Sequence, residues 1–274
     1  MMNIYATTIS KREDRTTNED AVRAEKGLIA VSDGAGGGGI FADKWSKYLL
    51  ENLPKTPFSK YEQTDSWLDK IWEPYYDTQE AEAKRLGSMV LNKLYDEGSF
   101  ATLAAAWQTQ KNLWRWAAYG DSVVFHYQYD THKLEHSFTR LADFAQPPYL
   151  VSCKDPMKKE GFRAGAFRPT RHSAIFAASD ALSHYILMMY CLSCGEERQE
   201  EIDAVAQGHS RNAQLVRNAA CLAWDAEIFQ QRLHKLFDAA RNERTFADMM
   251  TQLERDGLLG HDDYSLAVAI EENC

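Results

Sequence analysis

Long apolar runs, regularly spaced cysteines and positive charge are all scarce in this chain of 274 residues, and each shortage argues against a class of function. No run reaches 18 apolar residues, so no membrane-spanning helix is expected. Residues 1–15 lack the apolar core of a secretory leader and carry Lys11, Arg12, Glu13 and Asp14, so none is expected there. The five cysteines, Cys153, Cys191, Cys194, Cys221 and Cys274, are odd in number and scattered. That argues against a disulfide framework and for a cytoplasmic location. No cysteine has an arginine six positions on, which disfavours a covalent Cys-x5-Arg nucleophile. Lys and Arg number 31 against 40 Asp and Glu, a net charge of −9, so nucleic acid is not the expected partner.

What is present is ordinary for a globular protein: 45% apolar and 26% charged residues, with chain enough for one large domain or a core with an insertion. Residues 3–10, 21–24 and 28–32 read as strands, the last a continuous apolar run preceded by a turn at Gly27. After the glycine cluster at 34–39, Phe41, Trp45, Tyr48 and Leu49 recur at helical intervals until Pro54 and Pro57. Helical patterning resumes over 64–94, with a break expected near Pro74. From Ser99 the period shortens. Residues 101–110, 113–119, 123–129 and 134–139 read as one antiparallel meander, turning at Asp130-Thr131-His132. Residues 142–169 read as irregular, 173–179 as a second buried strand and 182–192 as a helix. Residues 196–252 read as mostly helical and 264–270 as a closing strand. Strands in antiparallel runs with helices grouped between them predict an α+β layered sandwich, not a parallel doubly wound sheet.

Aspartates stand where these strands begin or stop. Asp33 and Asp180 follow the two buried runs, Asp121 separates two strands, Asp20 precedes the second strand and Asp262 the last. Any one of them could simply cap a turn. Together they are rigidly held carboxylates able to converge, and hard divalent cations take such oxygen ligands. Bound cations would also give an acidic protein the positive charge that an anionic substrate needs.

The local sequences point the same way. Arg15-Thr-Thr-Asn-Glu19-Asp20, Val31-Ser-Asp33-Gly34-Ala-Gly-Gly and Gly98-Ser99 with Thr102 occur in order, followed by Tyr119-Gly-Asp121-Ser122, Ser179-Asp180-Ala-Leu182 and Gly260-His-Asp262-Asp263-Tyr-Ser265. These resemble the successive motifs of the type 2C (PPM) metal-dependent serine/threonine protein phosphatases, from the first strand to the last. The resemblance implies a four-layer αββα sandwich, two antiparallel β-sheets flanked by helices, as one domain over 1–274. It implies hydrolysis of phosphoserine and phosphothreonine in proteins by direct attack of a metal-activated water, with Mn²⁺ or Mg²⁺ as two core ions and a further, weaker one. By position, Asp20, Asp33, Asp180 and Asp262 would be side-chain metal ligands, Gly34 a backbone-carbonyl ligand and Asp121 a ligand of the extra ion. Glu19 would hold a metal-bound water. Arg15 would clamp phosphate, a task suited to a two-pronged guanidinium.

Three positions depart from the family pattern: Ala35 where many members have a candidate general-acid histidine, Val123 where an arginine often follows Gly-Asp-Ser, and Ala181 in place of glycine. The stretch from Asp180 to Asp262 is also longer than the core needs, so a helical insertion is expected within 196–244. A phosphoprotein is the expected partner and no membrane is expected. Two other readings share the fold: a non-catalytic phosphoprotein-binding regulatory module, and a small-molecule phosphoesterase.

Other signals carry less. Gly34-Ala-Gly36-Gly-Gly-Gly39 matches a dinucleotide-binding pattern, but Leu53-Pro54-Lys-Thr-Pro57 stands where a second parallel strand should be, and no Gly-Lys-Ser/Thr follows for a P-loop. Cys191-x-x-Cys194 lacks a second pair and reads as packed thiols. His261 could donate a proton near the site but reads as a loop histidine. Trp107, Trp114, Trp116 and Met188–Met189 read as core.

Overall fold

In the computed structural model, which describes residues 2–11 and 17–271, the unbroken apolar runs are strands covered on both faces. The chain opens with β1 (Met2–Ile9), β2 (Ala21–Glu25) and β3 (Leu28–Ser32), then α1 (Ala42–Glu51), α2 (Tyr61–Leu86) and α3 (Ser88–Asp96). Next come β4 (Phe100–Ala101), β5 (Leu103–Gln110), β6 (Leu113–Tyr119), β7 (Val123–Gln128) and β8 (Lys133–His136). Strands β9 (Val151–Ser152), β10 (Phe162–Phe167) and β11 (Ser173–Ala178) follow, and then α4 (Asp180–Ser193), α5 (Gln199–Ala206) and α6 (Arg211–Ala220). Helices α7 (Ala226–Ala239) and α8 (Glu243–Arg255) lead into β12 (Tyr264–Glu271).

Two five-stranded antiparallel sheets form, in the orders β1-β12-β11-β7-β8 and β10-β6-β5-β3-β2, with a small β4-β9 pair beside them. Alternation along each strand explains the layering. In β3, Ile29 and Val31 face the other sheet, whereas Leu28 and Ala30 face α1 and α2. In β11, Ile175 and Ala177 lie between the sheets, and Ala174, Phe176 and Ala178 pack towards α4, α7 and α8. The result is the expected four-layer α+β sandwich. Trp114 and Trp107 are buried, as are Met188 and Met189, and Trp116 is half-buried.

Several local expectations are corrected. The four strands after Ser99 are not one meander: β6 and β7 do not pair, and β7 lies between β8 and β11 in the opposite sheet. The chain changes sheets at Gly120-Asp121-Ser122, where Gly120 has φ +98° and a Cβ would come within 2.7 Å of Thr102 Cγ2. Only glycine turns there without strain. Pro74 does not break α2: it sits on the exposed face one turn beyond exposed Lys70, where solvent can take the carbonyl left without its N–H partner. The break falls at Gly87 instead, at φ +115°. Residues 142–169 contain β10, paired along β6, with Gly165 set flat against the Trp116 indole.

Tertiary anchors fix the site's end of the sandwich. Trp45 of α1 is fully buried and its Nε1 donates to the Val151 carbonyl at 2.9 Å, tying α1 and the glycine-rich loop before it to β9. Truncating such a tryptophan costs about 3–5 kcal/mol.

Candidate metal centre

Strand register brings the aspartates to one edge. Ala21 pairs with Ser32, which puts Asp20 beside Asp33; Ala178 pairs with both Leu266 and Val123, which puts Asp180, Asp262 and Asp121 at the same end. Serine and threonine staples hold that edge. Ser32 Oγ donates to the Thr102 carbonyl at 2.7 Å, Asp33 N donates to Thr102 Oγ1 at 3.1 Å, and Thr102 Oγ1 lies 2.6 Å from Ser122 Oγ. Asp33 and Asp121 are thereby set from one shared threonine. On the other sheet Ser265 N donates to Ser179 Oγ at 3.0 Å and Ser265 Oγ to Thr8 Oγ1 at 2.7 Å.

Asp20 is the most informative of the five. Its side chain is 8% exposed, and neither carboxylate oxygen has a hydrogen-bond partner. Burial pushes its carboxyl up to about 7, with Asp263 and Asp262 adding to the rise; Ser265 and Ser179 temper it without completing a bond to either oxygen. Burial likewise raises Asp33 and Asp180 well above the carboxylate range, each further lifted by the other aspartates of the group. Asp121 is pushed to about 6 by burial despite Arg163, and Asp262 is raised by burial despite Lys11, whose Nζ lies 3.9 Å away. Buried charges persist only when paired or metal-bound. Among the described residues, Lys11, Arg163 and Arg211 temper this cluster, and its carboxyls are raised all the same.

Gly34 and Glu19 are locked together. Gly34 N donates to the Glu19 carbonyl at 3.1 Å, and Ser46 Oγ donates to the same oxygen at 2.6 Å. A Cβ on Gly34 would sit 2.4 Å from that carbonyl, so the approach demands glycine. The Glu19 carboxylate lies against Gly36, where a Cβ would be 2.0 Å from Oε1, and its burial raises its pKa. Arg15, the expected phosphate clamp, lies outside the described residues. Its neighbours on either side are held by Asp263, whose buried carboxylate accepts from Lys11 N and Glu19 N, each at 2.7 Å. The Asp262-Asp263 doublet before β12 thus divides its roles: Asp263 is buried and holds backbone, and the more exposed Asp262 faces the cavity.

Three further residues enter unannounced. Arg163 of β10 donates to the Gly120 carbonyl, and its charge tempers the neighbouring Asp121, although Val123 holds the position after Gly-Asp-Ser. His184, one turn after Asp180 in α4, is 3% exposed with an unpartnered Nε2, and burial lowers its pKa to about 4, leaving a neutral imidazole. Arg211 of α6 lines a cavity with Asp121, Asp180 and Asp262. His261 borders the same cavity with Nδ1 3.0 Å from Glu254 Oε2. Cys191 and Cys194 are free thiols at the end of α4, the first buried.

The donor set suits hard cations. Among the described residues no three Asp, Glu, His or Cys side chains close into a cage around one ion. Mg²⁺ does not ask for one, since it keeps several waters and takes one or two carboxylates. The orphaned Asp20 oxygens and the mutually repelling aspartates fit such ions. Among the described residues, no helix is long and apolar enough to cross a membrane.

No protein-family model and no curated protein sequence matches the chain. Solved structures do. The chain is similar to a bacterial serine phosphatase at 14% identity and TM-score 0.51, over 100% of this chain and 99% of that one. It is similar to PppA, a key regulatory component of the T6SS in Pseudomonas aeruginosa, at 15% identity and TM-score 0.53, over 98% and 97%. The Mycobacterium tuberculosis serine/threonine phosphatase PstP/Ppp matches at 15% identity and TM-score 0.51, over 99% of both chains. Such low identity with full coverage establishes a shared architecture: the chain has the fold of the type 2C (PPM) serine/threonine phosphatases, the family that its motifs resemble.

Proposed function

We propose that the protein is a metal-dependent phosphatase acting on phosphoserine and phosphothreonine in proteins. The observation that carries this reading is the buried, unpartnered carboxylate of Asp20 beside four further aspartates at one edge of the sandwich. Asp20, Asp33, Asp180 and Asp262, with the Gly34 carbonyl, would hold two ions of Mn²⁺ or Mg²⁺, and Asp121 would serve a third. Bound there, such ions supply Lewis acidity, an activated water and neutralisation of phosphoryl charge. The chain's own part is to keep the carboxylates fixed through Thr102, Ser122 and Ser265, to hold Glu19 against Gly36, and to anchor Lys11 and Glu19 through Asp263. Arg15 binds the phosphate, and Glu19 orients water. With Ala35 in the glycine loop, the leaving group takes its proton from water or another side chain. The helices within 196–244 are an insertion in the single domain and shape its substrate face.

Hydrolysis of p-nitrophenyl phosphate and of a phosphothreonine peptide, with Mn²⁺ and with EDTA, tests this directly. Activity should depend on the metal and vanish in chelator. Full turnover in excess EDTA, or binding of the peptide without any turnover, would overturn it.

A further inference from the structure

Phosphate chemistry at this edge has a charge problem that the strands leave unsolved. The site gathers five aspartates and Glu19, on a chain of net charge −9, and its substrate is an anion. Lys11 lies against Asp262, and Arg163 is committed to the Gly120 carbonyl behind Asp121. A cavity of about 100 Å³ opens at the cluster, with room for a few waters or a single oxyanion. Asp121, Asp180 and Asp262 form one wall, and Phe144 and the buried His184, whose Nε2 has no hydrogen-bond partner among the described residues, form another. Arg211 closes it from α6 and is the one cationic side chain among its described lining residues.

Arg211 is poorly explained as a structural residue. It sits in the first turn of α6, where a cation opposes the helix dipole. The neighbouring α5, α7 and α8 carry glutamates in their first turns. Its hydrogen bond within the protein is a long one, Nη1 to the His261 carbonyl at 3.3 Å, and the side chain is exposed. It adjoins Asp262 closely enough to offset part of the rise in that carboxyl's pKa, yet among the described residues it makes no ion pair within 4 Å. The helix itself is firmly seated: Ser210 caps it through Ala213 N at 3.2 Å, and Leu215, Val216 and Ala219 are core residues. A rigid helix thus holds a guanidinium with spare donors at the mouth of the site.

We infer that Arg211 is a specificity-determining residue that takes an oxyanion of the substrate, opposite the carboxylate cluster. This rests on the phosphatase reading and adds to it a role for the helical segment. The oxyanion can belong to the phosphoryl group or to an acidic residue flanking it in the substrate protein. A planar fork suits either.

The experiment compares wild type, Arg211→Ala, Arg211→Lys and Arg211→Glu in Mn²⁺. Kinetics use p-nitrophenyl phosphate and phosphothreonine peptides with acidic or neutral flanks, and calorimetry follows inorganic phosphate and peptide binding alongside thermal melts. Arg211→Ala should raise KM by about tenfold, the scale of one charge-assisted hydrogen bond at an exposed site, with kcat little changed. Lysine should rescue partly, and glutamate should do worse than alanine. Raised KM on every substrate, with weaker phosphate binding, assigns the contact to the phosphoryl group. An effect confined to acidic peptides assigns it to the flanking carboxylate. Unchanged KM and unchanged binding in both Arg211→Ala and Arg211→Glu, with wild type active, would overturn the inference alone. A lower melting temperature with kcat reduced equally on all substrates and KM unchanged would make Arg211 a strut for the 260–262 loop, and would also overturn it. A wild type that neither binds nor hydrolyses phosphate esters would remove the phosphatase reading and this inference together.

Discussion

Replacing Asp20 with asparagine should make the metal-free protein more stable at alkaline pH while weakening its response to metal. The reason lies in the missing partners. Asp20 is buried, neither oxygen is hydrogen-bonded, and burial first, then neighbouring carboxylates, carry its pKa from 3.8 to about 7. A carboxyl raised on folding binds its proton more tightly in the folded state. Its contribution to stability is therefore complete below the unfolded value near 4 and is lost as pH rises through about 7. At about 1.4 kcal/mol per pH unit, the ionised Asp20 costs the metal-free fold at most roughly 4 kcal/mol. Asparagine keeps the shape and removes the charge.

Thermal melts in EDTA from pH 5 to 8.5 measure this. Wild type should lose stability steadily over that range, and Asp20→Asn should lose less, with Asp33 and Asp180 supplying the slope that remains. At pH 8 the variant should melt several degrees higher, at roughly 2–4 °C per kcal/mol for a domain of this size. Saturating Mn²⁺ should reverse the order, because a ligand at 100 times its Kd adds about 2.7 kcal/mol to the state that binds it. Refutation is simple. If Asp20→Asn is less stable than wild type at pH 8 in EDTA, the carboxylate has partners that an amide cannot replace, and the argument for a cation there fails.

Two other substitutions probe the same edge. Asp33→Asn and Asp180→Asn should each fold but lose about 10²–10³ in kcat, the usual scale for a preorganised electrostatic element; wild-type turnover in both folded variants would move the site elsewhere. Asp263→Ala should cost about 2–3 kcal/mol, because Lys11 N and Glu19 N each lose a 2.7 Å acceptor, and should lower activity per folded molecule. Asp263→Asn, with one acceptor oxygen left, should recover part of both, as read by urea melts and initial rates.

Legibility differed between fold and site for physical reasons. Strands buried on both faces announce themselves as apolar runs, and so β3 and β11 were plain, with Asp33 and Asp180 at their ends. Strand β10 was not, because Phe-Arg-Ala-Gly-Ala-Phe has little β-propensity of its own and is held by pairing along β6 and by Gly165 against Trp116. Pro74 misled because its cost depends on whether the freed carbonyl is wet, and that is a tertiary fact. The metal-ligand candidates were legible because motif order preserves strand ends. Arg163, His184 and Arg211 were not, because each reaches the site from an element whose local pattern concerns packing or capping.

Asp121 joins the two lessons. Read as a turn in a continuous meander, it would connect neighbouring strands of one sheet, and its carboxylate would need no other role than to cap. The structure makes it instead the crossover between sheets, fixed by the left-handed Gly120 on one side and by the Ser122–Thr102 hydroxyl pair on the other. Thr102 in turn receives the backbone N–H of Asp33. This crossover from sheet to sheet is thus bonded, through a single threonine, to the end of the strand that carries Asp33. Covalent connection and hydrogen bonding both converge there because the two sheets must keep a fixed spacing at this edge. Carboxylates set from opposite sheets can share ions only if that spacing does not vary.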